Sequence, residues 1–193
     1  HSKEDCEYMI SKMGTILSQR EYFNNPILEG TVFKKEWIQY KPMRNLRQYQ
    51  SLVAYLDPGF KNTGTSDHKA WVLLGMLGGE IHVIKAFCDV ASIETQIDWG
   101  YQLNQYVRAK GGAVELWMEE VFLQSLLYKD FKAAAKERNE PLPLRGDTRK
   151  KPDKDSRITS LSGYFERGMW FFNELEAENY HMKKLVEQFL IFQ

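Results

Sequence analysis

The order of apolar segments along the chain constrains its fold most strongly. From Ser51 onward, three short apolar segments follow one another, separated by turn-forming sequence at 57–67 and at Gly78-Gly79. Strand-forming segments joined by such turns predict an antiparallel meander. After them, segments with helical spacing alternate with short apolar segments, which predicts crossover connections. The expected fold is therefore α/β, a mixed sheet that is antiparallel over its first three strands and flanked by helices.

The predicted elements occupy residues 51–192. Strands are expected at 51–56, 70–77, 80–90, 113–118, 141–144 and 169–172, and helices at 93–110, 121–138, 155–167 and 178–192. The helical segments have apolar residues three or four positions apart, as on the buried side of a surface helix. Residues 145–154 are expected to form a basic, polar loop.

Residues 1–50 differ from the rest of the chain. They contain one short amphipathic stripe, followed by turn-forming sequence around Asn24-Asn25-Pro26. We predict a lead-in over residues 1–50 and one domain over residues 51–193, a length that can bury a sizeable core. The chain starts at His1 and not at Met, so we expect it to be a fragment of something larger.

Charge, cysteine content and hydropathy narrow the class of protein. Lys plus Arg and Asp plus Glu each number 26, so a nucleic-acid surface has to come from local clustering of charge. Cys6 and Cys88 form no CxxC pair, which argues against a disulfide framework and favours a reducing cytoplasm. No apolar segment approaches the roughly 20 residues of a membrane-crossing helix, and no signal peptide opens the chain.

Two acidic residues follow predicted strands directly. Asp57 comes after the first strand and Glu119 after the fourth. Since the fourth strand of a mixed sheet often lies beside the first, we expect the two carboxylates at adjacent strand ends, where they repel unless a cation lies between them. The pair therefore predicts a site for Mg²⁺ or Mn²⁺. The alternative for Asp57 is a turn-forming role without chemistry. Glu120 favours a helix N-terminus instead.

Further candidates lie in two loops. Two ions about 3.5–4 Å apart could polarise a phosphodiester, and Asp67 is either an outer ligand or a solvated loop residue. Residues 145–157 contain six basic and three acidic side chains, Arg149 and Lys151 among them. Beside a metal site this segment would bind DNA phosphates, and otherwise it is a solvated loop that ends in a helix cap.

Taken in order, these segments resemble the C-terminal part of phage large terminase subunits. Residues 22–34 are similar to the linker between the ATPase and nuclease domains of that family. Residues 56–59 with 66–70 are similar to its first nuclease motif, and 118–124 to its second acidic motif. Residues 153–158 and 164–168 resemble the segment before its last core strand.

The resemblance implies a ribonuclease H-like fold and an endonuclease that cuts concatemeric viral double-stranded DNA with two divalent metal ions. It makes Asp57 and Glu119 catalytic metal ligands and Asp67 a helper. It places Lys154 and Arg157 near the DNA backbone, with Lys151 and Arg149 as further DNA-binding candidates in the same basic segment. It also implies a portal and a small terminase subunit as partners of the full-length protein, no membrane, and the cytoplasm of an infected or prophage-carrying bacterial host.

Two departures and two alternatives accompany this resemblance. The family's further acid, in a His-Asp-Asp-like motif, is expected after Gln193, and the ATPase half is absent, so we expect no ATP hydrolysis by this chain. One alternative is a non-catalytic module of the same fold that grips DNA or a motor partner through residues 145–157. The other is a different ribonuclease H-like enzyme, such as a recombinase, against which residues 22–34 argue.

Overall fold

The computed structural model describes residues 32–59, 69–120 and 124–192, with the main chain alone over 124–126. Within them, four α-helices and seven strands occur. None of these helices is long and apolar enough to cross a lipid bilayer. The strands are β1 (Tyr40–Lys41), β2 (Ser51–Asp57), β3 (Lys69–Leu77), β4 (Glu80–Asp89), β5 (Glu115–Glu119), β6 (Leu144–Asp147) and β7 (Trp170–Asn173). The helices are α1 (Ile93–Ala109), α2 (Gln124–Glu137), α3 (Lys154–Glu166) and α4 (Tyr180–Leu190).

All seven strands belong to one sheet, in the order β1-β7-β4-β3-β2-β5-β6. β2, β3 and β4 pair antiparallel, and Gly78 and Gly79, with φ of 60° and 86°, form the turn between β3 and β4. β5 and β6 continue the sheet in parallel beyond β2, and β7 and β1 do so beyond β4. The predicted α/β fold, with an antiparallel first half, is confirmed.

Two hydrophobic cores lie on opposite faces of the sheet. On one face α1 and α2 cover the central strands, where Leu56, Trp71 and Leu116 are fully buried. On the other face α3 and α4 pack with Phe165 and Met182 against β3, β4 and β7. Because successive strand residues point to opposite faces, β3 and β4 contribute side chains to both cores.

The described part of the predicted lead-in packs against this sheet. Phe33 is fully buried in the core beneath α3 and α4, whereas Leu46 and Tyr49 are buried in the core beneath α1 and α2. Between them, β1 pairs in parallel with β7. A two-residue strand has no detectable period, so the sequence did not predict it. The division of the chain at residue 50 stays a prediction.

Every predicted element lies within three residues of its predicted bounds, but for β6 the shift is three residues at both ends and affects the site. The strand expected at 141–144 begins at Leu144 and ends at Asp147. Pro141 and Pro143 lack the N–H group that a strand uses for pairing, and β6 starts just after them. Residues 145–147 are thus a strand and not part of the predicted basic loop.

Gly75 in β3 leaves room for the ring of Tyr49. A Cβ at Gly75 would lie 2.5 Å from Cδ1 of Tyr49 and 2.9 Å from Cδ1 of Ile84. The Tyr49 hydroxyl lies 2.8 Å from Nδ1 of buried His82, so the ring cannot shift without losing that hydrogen bond. Overpacking typically costs about 1–3 kcal/mol of stability. Replacing a glycine inside a strand with alanine restores part of this stability, because glycine loses more conformational entropy on folding. We expect Gly75→Ala to lower the free energy of unfolding by about 1 kcal/mol in urea denaturation.

The control for this prediction is Gly75→Ala in a chain that lacks the Tyr49 ring. In a Tyr49→Ala background, Gly75→Ala should cost much less, because the ring atoms that the added methyl group would meet are gone. An equal cost in both backgrounds would contradict the packing explanation.

Candidate active site

Among the described residues, no helix packs over β5 and β6 on the side of the sheet that α3 and α4 cover elsewhere. The core beneath α3 and α4 contains no residue of β5 or β6. On that side β5 and β6 present Glu115 and Arg145, both exposed, and the half-buried Trp117. The guanidinium groups of Arg145 and Arg149 lie 5.5 Å and 6.0 Å from the centre of the Trp117 ring. We call the outer side of β2, β5 and β6 the open face; it combines aromatic and basic groups.

Three parallel strands of the open face end at one edge of the sheet, each with an acidic residue. Leu56 of β2 is paired with Met118 of β5, so the next residues, Asp57 and Glu119, end these strands side by side. Glu119 is in turn paired with Asp147 of β6. Because Leu56 and Met118 are buried beneath α1 and α2, their acidic neighbours point to the open face. We call Asp57, Glu119 and Asp147 the acidic row.

Asp57 and Glu119 are accessible to a ligand. Asp57 is exposed, and its Oδ1 accepts a hydrogen bond from the N–H of Gly59 at 3.1 Å. The Glu119 side chain is 37% exposed, and its Oε1 lies 3.7 Å from Nζ of Lys151. These contacts engage one oxygen of each carboxylate. The pair can therefore offer oxygen ligands to a hard cation.

Asp147 is unlike the other two carboxylates because protein donors surround it. Its side chain is 1% exposed, and Arg149 donates to both oxygens, from Nε at 2.7 Å and from Nη2 at 2.9 Å. Oδ2 also accepts a hydrogen bond from the Tyr55 hydroxyl at 3.1 Å and lies 3.0 Å from Nζ of Lys151. The bonds from Arg149, and then those from Lys151, hold the pKa of Asp147 well below its usual value. We therefore do not count it as a metal ligand.

Lys151 connects Asp147 to Glu119. Its Nζ lies 3.0 Å from Asp147 Oδ2 and 3.7 Å from Glu119 Oε1, and it donates a hydrogen bond to the Tyr55 hydroxyl. The side chain is 15% exposed. Burial lowers the pKa of Lys151, but the contacts with Tyr55 and Asp147 raise it on balance. The ammonium group is therefore charged at neutral pH and fixed beside a carboxylate of the acidic row.

The carboxylates at this edge can supply part of the ligand set of a divalent cation. Within residues 32–59, 69–120 and 124–192, no group of three or more Asp, Glu, His or Cys side chains is arranged to hold a metal. Asp57 and Glu119 alone supply two carboxylates. Mg²⁺ is usually held by one or two carboxylates, with waters and substrate phosphates as its other ligands. Two adjacent, exposed carboxylates therefore fit this kind of site.

Of the residues singled out in the sequence, Asp57, Glu119, Arg149 and Lys151 come together at this edge of the sheet. Lys154 and Arg157 lie on the first two turns of α3, without an ion pair to the acidic row. Asp67 lies outside the described residues. Asp147 and Tyr55 also contribute to this edge, and neither was predicted from the sequence. For Tyr55 a signal existed, since it lies two positions before Asp57 and so shares its face.

Known proteins match this chain in structure, but no match is found from its sequence. The sequence matches no family profile and no curated protein. The large terminase of a thermophilic bacteriophage, in complex with ADP, superposes with a TM-score of 0.59 at 12% identity, over 98% of this chain and 44% of its own. The P22 large terminase nuclease domain gives 0.57 at 13% identity, over 86% and 80%. The human cytomegalovirus terminase nuclease domain, Mn-soaked and inhibitor-bound, gives 0.55 at 11%, over 81% and 84%.

These likenesses show that the chain has the fold of large terminase nuclease domains. The ribonuclease H-like α/β architecture expected from the sequence is confirmed, and the resemblance on which it rested holds at the level of the fold. The chain spans 44% of the length of the thermophilic phage protein, and at 11–13% identity the likeness carries the fold and no residue roles.

Proposed function

We propose that this chain is the nuclease domain of a viral DNA-packaging terminase and cuts double-stranded DNA with divalent metal ions. The observation that carries the proposal is the placement of Asp57 and Glu119. They end adjacent parallel strands on an open face, in a fold shared with terminase nuclease domains. Ligands at strand ends are held by rigid backbone, which favours a fixed catalytic geometry.

In this proposal Asp57 and Glu119 hold Mg²⁺ or Mn²⁺, two ions in all, and Asp67 is a further candidate ligand. When bound, the ions polarise the phosphodiester and stabilise the charge that develops on its leaving oxygen. The two carboxylates would hold the ions at the sheet edge, where the open face gives the DNA backbone access. A soaked Mn ion in the cytomegalovirus domain supports the choice of cation.

The basic groups of the open face serve the DNA backbone. Arg149 is 77% exposed and Arg145 57% exposed, and both lie over Trp117, within two strands of Asp57. Lys154 and Arg157 extend the basic groups along α3. Contacts with phosphates fix the position of DNA but carry no base information. We therefore propose cleavage with little sequence preference.

The wider setting follows from the same proposal. As part of a terminase, the chain acts in the cytoplasm of an infected or prophage-carrying bacterial host. The substrate is concatemeric viral DNA, and the partners of the full-length protein are a portal and a small terminase subunit.

One observation favours a second candidate function. The Lys151 ammonium group already lies near Glu119 and partly neutralises it. A site whose carboxylate is satisfied by a protein cation would suit a non-catalytic module that only grips DNA through its basic groups.

A plasmid assay separates the two functions. We expect the protein to convert supercoiled plasmid into nicked and linear forms in Mn²⁺ or Mg²⁺, and EDTA to abolish the conversion, because the carboxylates alone cannot activate a phosphodiester. The products are resolved on agarose gels. Salt-dependent plasmid binding with no conversion in either metal would instead support the binding module.

A further inference from the structure

The cation nearest to the proposed metal ligands belongs to the protein itself. Nζ of Lys151 lies 3.7 Å from Glu119 Oε1, and Asp147 and Tyr55 fix it there. We propose that Lys151 keeps divalent cation binding at Asp57 and Glu119 weak until a DNA phosphate arrives, so that metal and DNA bind cooperatively. This inference rests on the proposed function and adds a positioning residue and a coupling to it.

The ammonium group is held firmly enough to act in this way. It is 15% exposed and contacts Tyr55, Asp147 and Glu119, which belong to three adjacent strands. Its principal anchor, Asp147, is itself fixed by two hydrogen bonds from Arg149. Swinging Lys151 away would leave the buried Asp147 with fewer donors, which is costly. The charge therefore stays beside Glu119 when a cation approaches.

The local charge balance makes the acidic row a weak site for a divalent cation. Arg149 and Lys151 offset two of its three negative charges, so the five groups together carry a single net negative charge. A unit positive charge a few ångströms from a divalent ion lowers its affinity about tenfold, even with water-like screening. Two exposed carboxylates alone would bind the ion more tightly.

A DNA phosphate reverses this balance. It is attracted to the Lys151 ammonium group and offers the oxygen ligands that Mg²⁺ takes from its substrates. The same phosphate thus supplies missing ligands and offsets the repelling charge. By thermodynamic linkage, DNA that tightens metal binding must itself bind more tightly when metal is present, by the same factor.

Direct measurement of Mn²⁺ binding tests this inference without relying on cleavage. Free Mn²⁺ is followed by electron paramagnetic resonance in titrations of the protein without DNA. We expect Lys151→Met to bind Mn²⁺ about tenfold more tightly than the wild type, and Lys151→Arg, which retains the charge, to bind like the wild type. Lys150→Met removes the same charge from the exposed neighbouring position and should leave the affinity unchanged. Lys151→Gln is a second uncharged variant that can still donate to Asp147.

The titrations are then repeated with a short DNA duplex, and Asp57→Asn with DNA gives the Mn²⁺ that DNA binds by itself. DNA should tighten binding about tenfold for the wild type and clearly less for Lys151→Met. If both uncharged variants bind Mn²⁺ like the wild type while Asp57→Asn does not bind it, the inference is wrong and the metal site stands. If no Mn²⁺ binding depends on Asp57, with or without DNA, the proposed function fails as well.

Discussion

Asp57→Asn and Glu119→Gln are each expected to lower the rate of Mn²⁺-dependent plasmid cleavage by about a thousandfold, since a bound cation contributes several kcal/mol to the transition state. Each substitution removes one of the two charged ligands at the sheet edge and keeps the shape of the side chain. Asp57 is exposed and Glu119 is 37% exposed, so we expect the unfolding temperature to stay unchanged. Initial rates are read from the loss of supercoiled plasmid on agarose gels.

Glu120 provides the matched control for this pair. It follows Glu119 directly and is exposed, but its side chain lies against Gly146 and outside the acidic row. Glu120→Gln should therefore cut plasmid at the wild-type rate. Cleavage at that rate by both Asp57→Asn and Glu119→Gln would remove the site assignment, whatever the activity of the control.

Asp147→Asn is expected to lower the free energy of unfolding at pH 7 by about 2 kcal/mol, the range for hydrogen bonds to a charged group. The carboxylate is 1% exposed and accepts from Arg149 and Tyr55, with Lys151 beside it. Asn retains an acceptor but no charge, and one of its donors then faces the donors of Arg149. We place the effect no higher because the covering Arg149 is itself 77% exposed and can return to water. Urea denaturation measures it.

The same variant should change how stability depends on pH. The pKa of Asp147 is held well below its usual value by Arg149 in the folded state, whereas in the unfolded chain it is near 3.9. Its contribution is therefore complete above the unfolded pKa and is lost as the pH falls through the folded pKa. The gap between wild type and Asp147→Asn should stay constant from about pH 5 to 8 and shrink below about pH 4. An unchanged gap at about pH 3 would contradict this origin.

An exposed ion pair of the same face serves as the comparison. Glu115 and Arg145 lie 3.3 Å apart, but both side chains are more than half exposed. Glu115→Gln should change the free energy of unfolding by less than about 1 kcal/mol, as exposed pairs do. A smaller loss of stability for Glu115→Gln than for Asp147→Asn would show that the larger loss comes from the covered carboxylate of Asp147.

The sequence was most informative where an apolar strand ends directly at an acid. Leu56-Asp57 and Met118-Glu119 both have this pattern, and it predicted two acids at neighbouring strand ends. The register of β2 and β5 places Asp57 and Glu119 side by side at the strand ends. Their catalytic role and metal binding stay predictions. Asp147 has the same position at the end of β6 but was missed. Leu144 is the single apolar side chain of that short strand, and a proline precedes it, so no alternating pattern was visible.

Contacts between distant side chains were beyond what periodicity can predict. The Lys151 ammonium group reaches Tyr55, 96 positions away in the chain, only because β2 and β6 flank β5. A basic segment is normally solvated, and nothing in its composition distinguishes Lys151 from Lys150. In the folded chain Lys150 is exposed, whereas Lys151 contacts Tyr55 and Asp147.

The packing of residues 33–49 has a practical consequence for anyone who trims this protein for expression. A fragment that starts at Ser51 keeps every central strand yet discards Phe33, Leu46 and Tyr49, which are buried on both sides of the sheet. Removing such side chains exposes apolar surface that elsewhere drives aggregation. Phe33 is the first buried aromatic residue in the part of the chain that the structure describes, so a trimmed fragment has to begin before it.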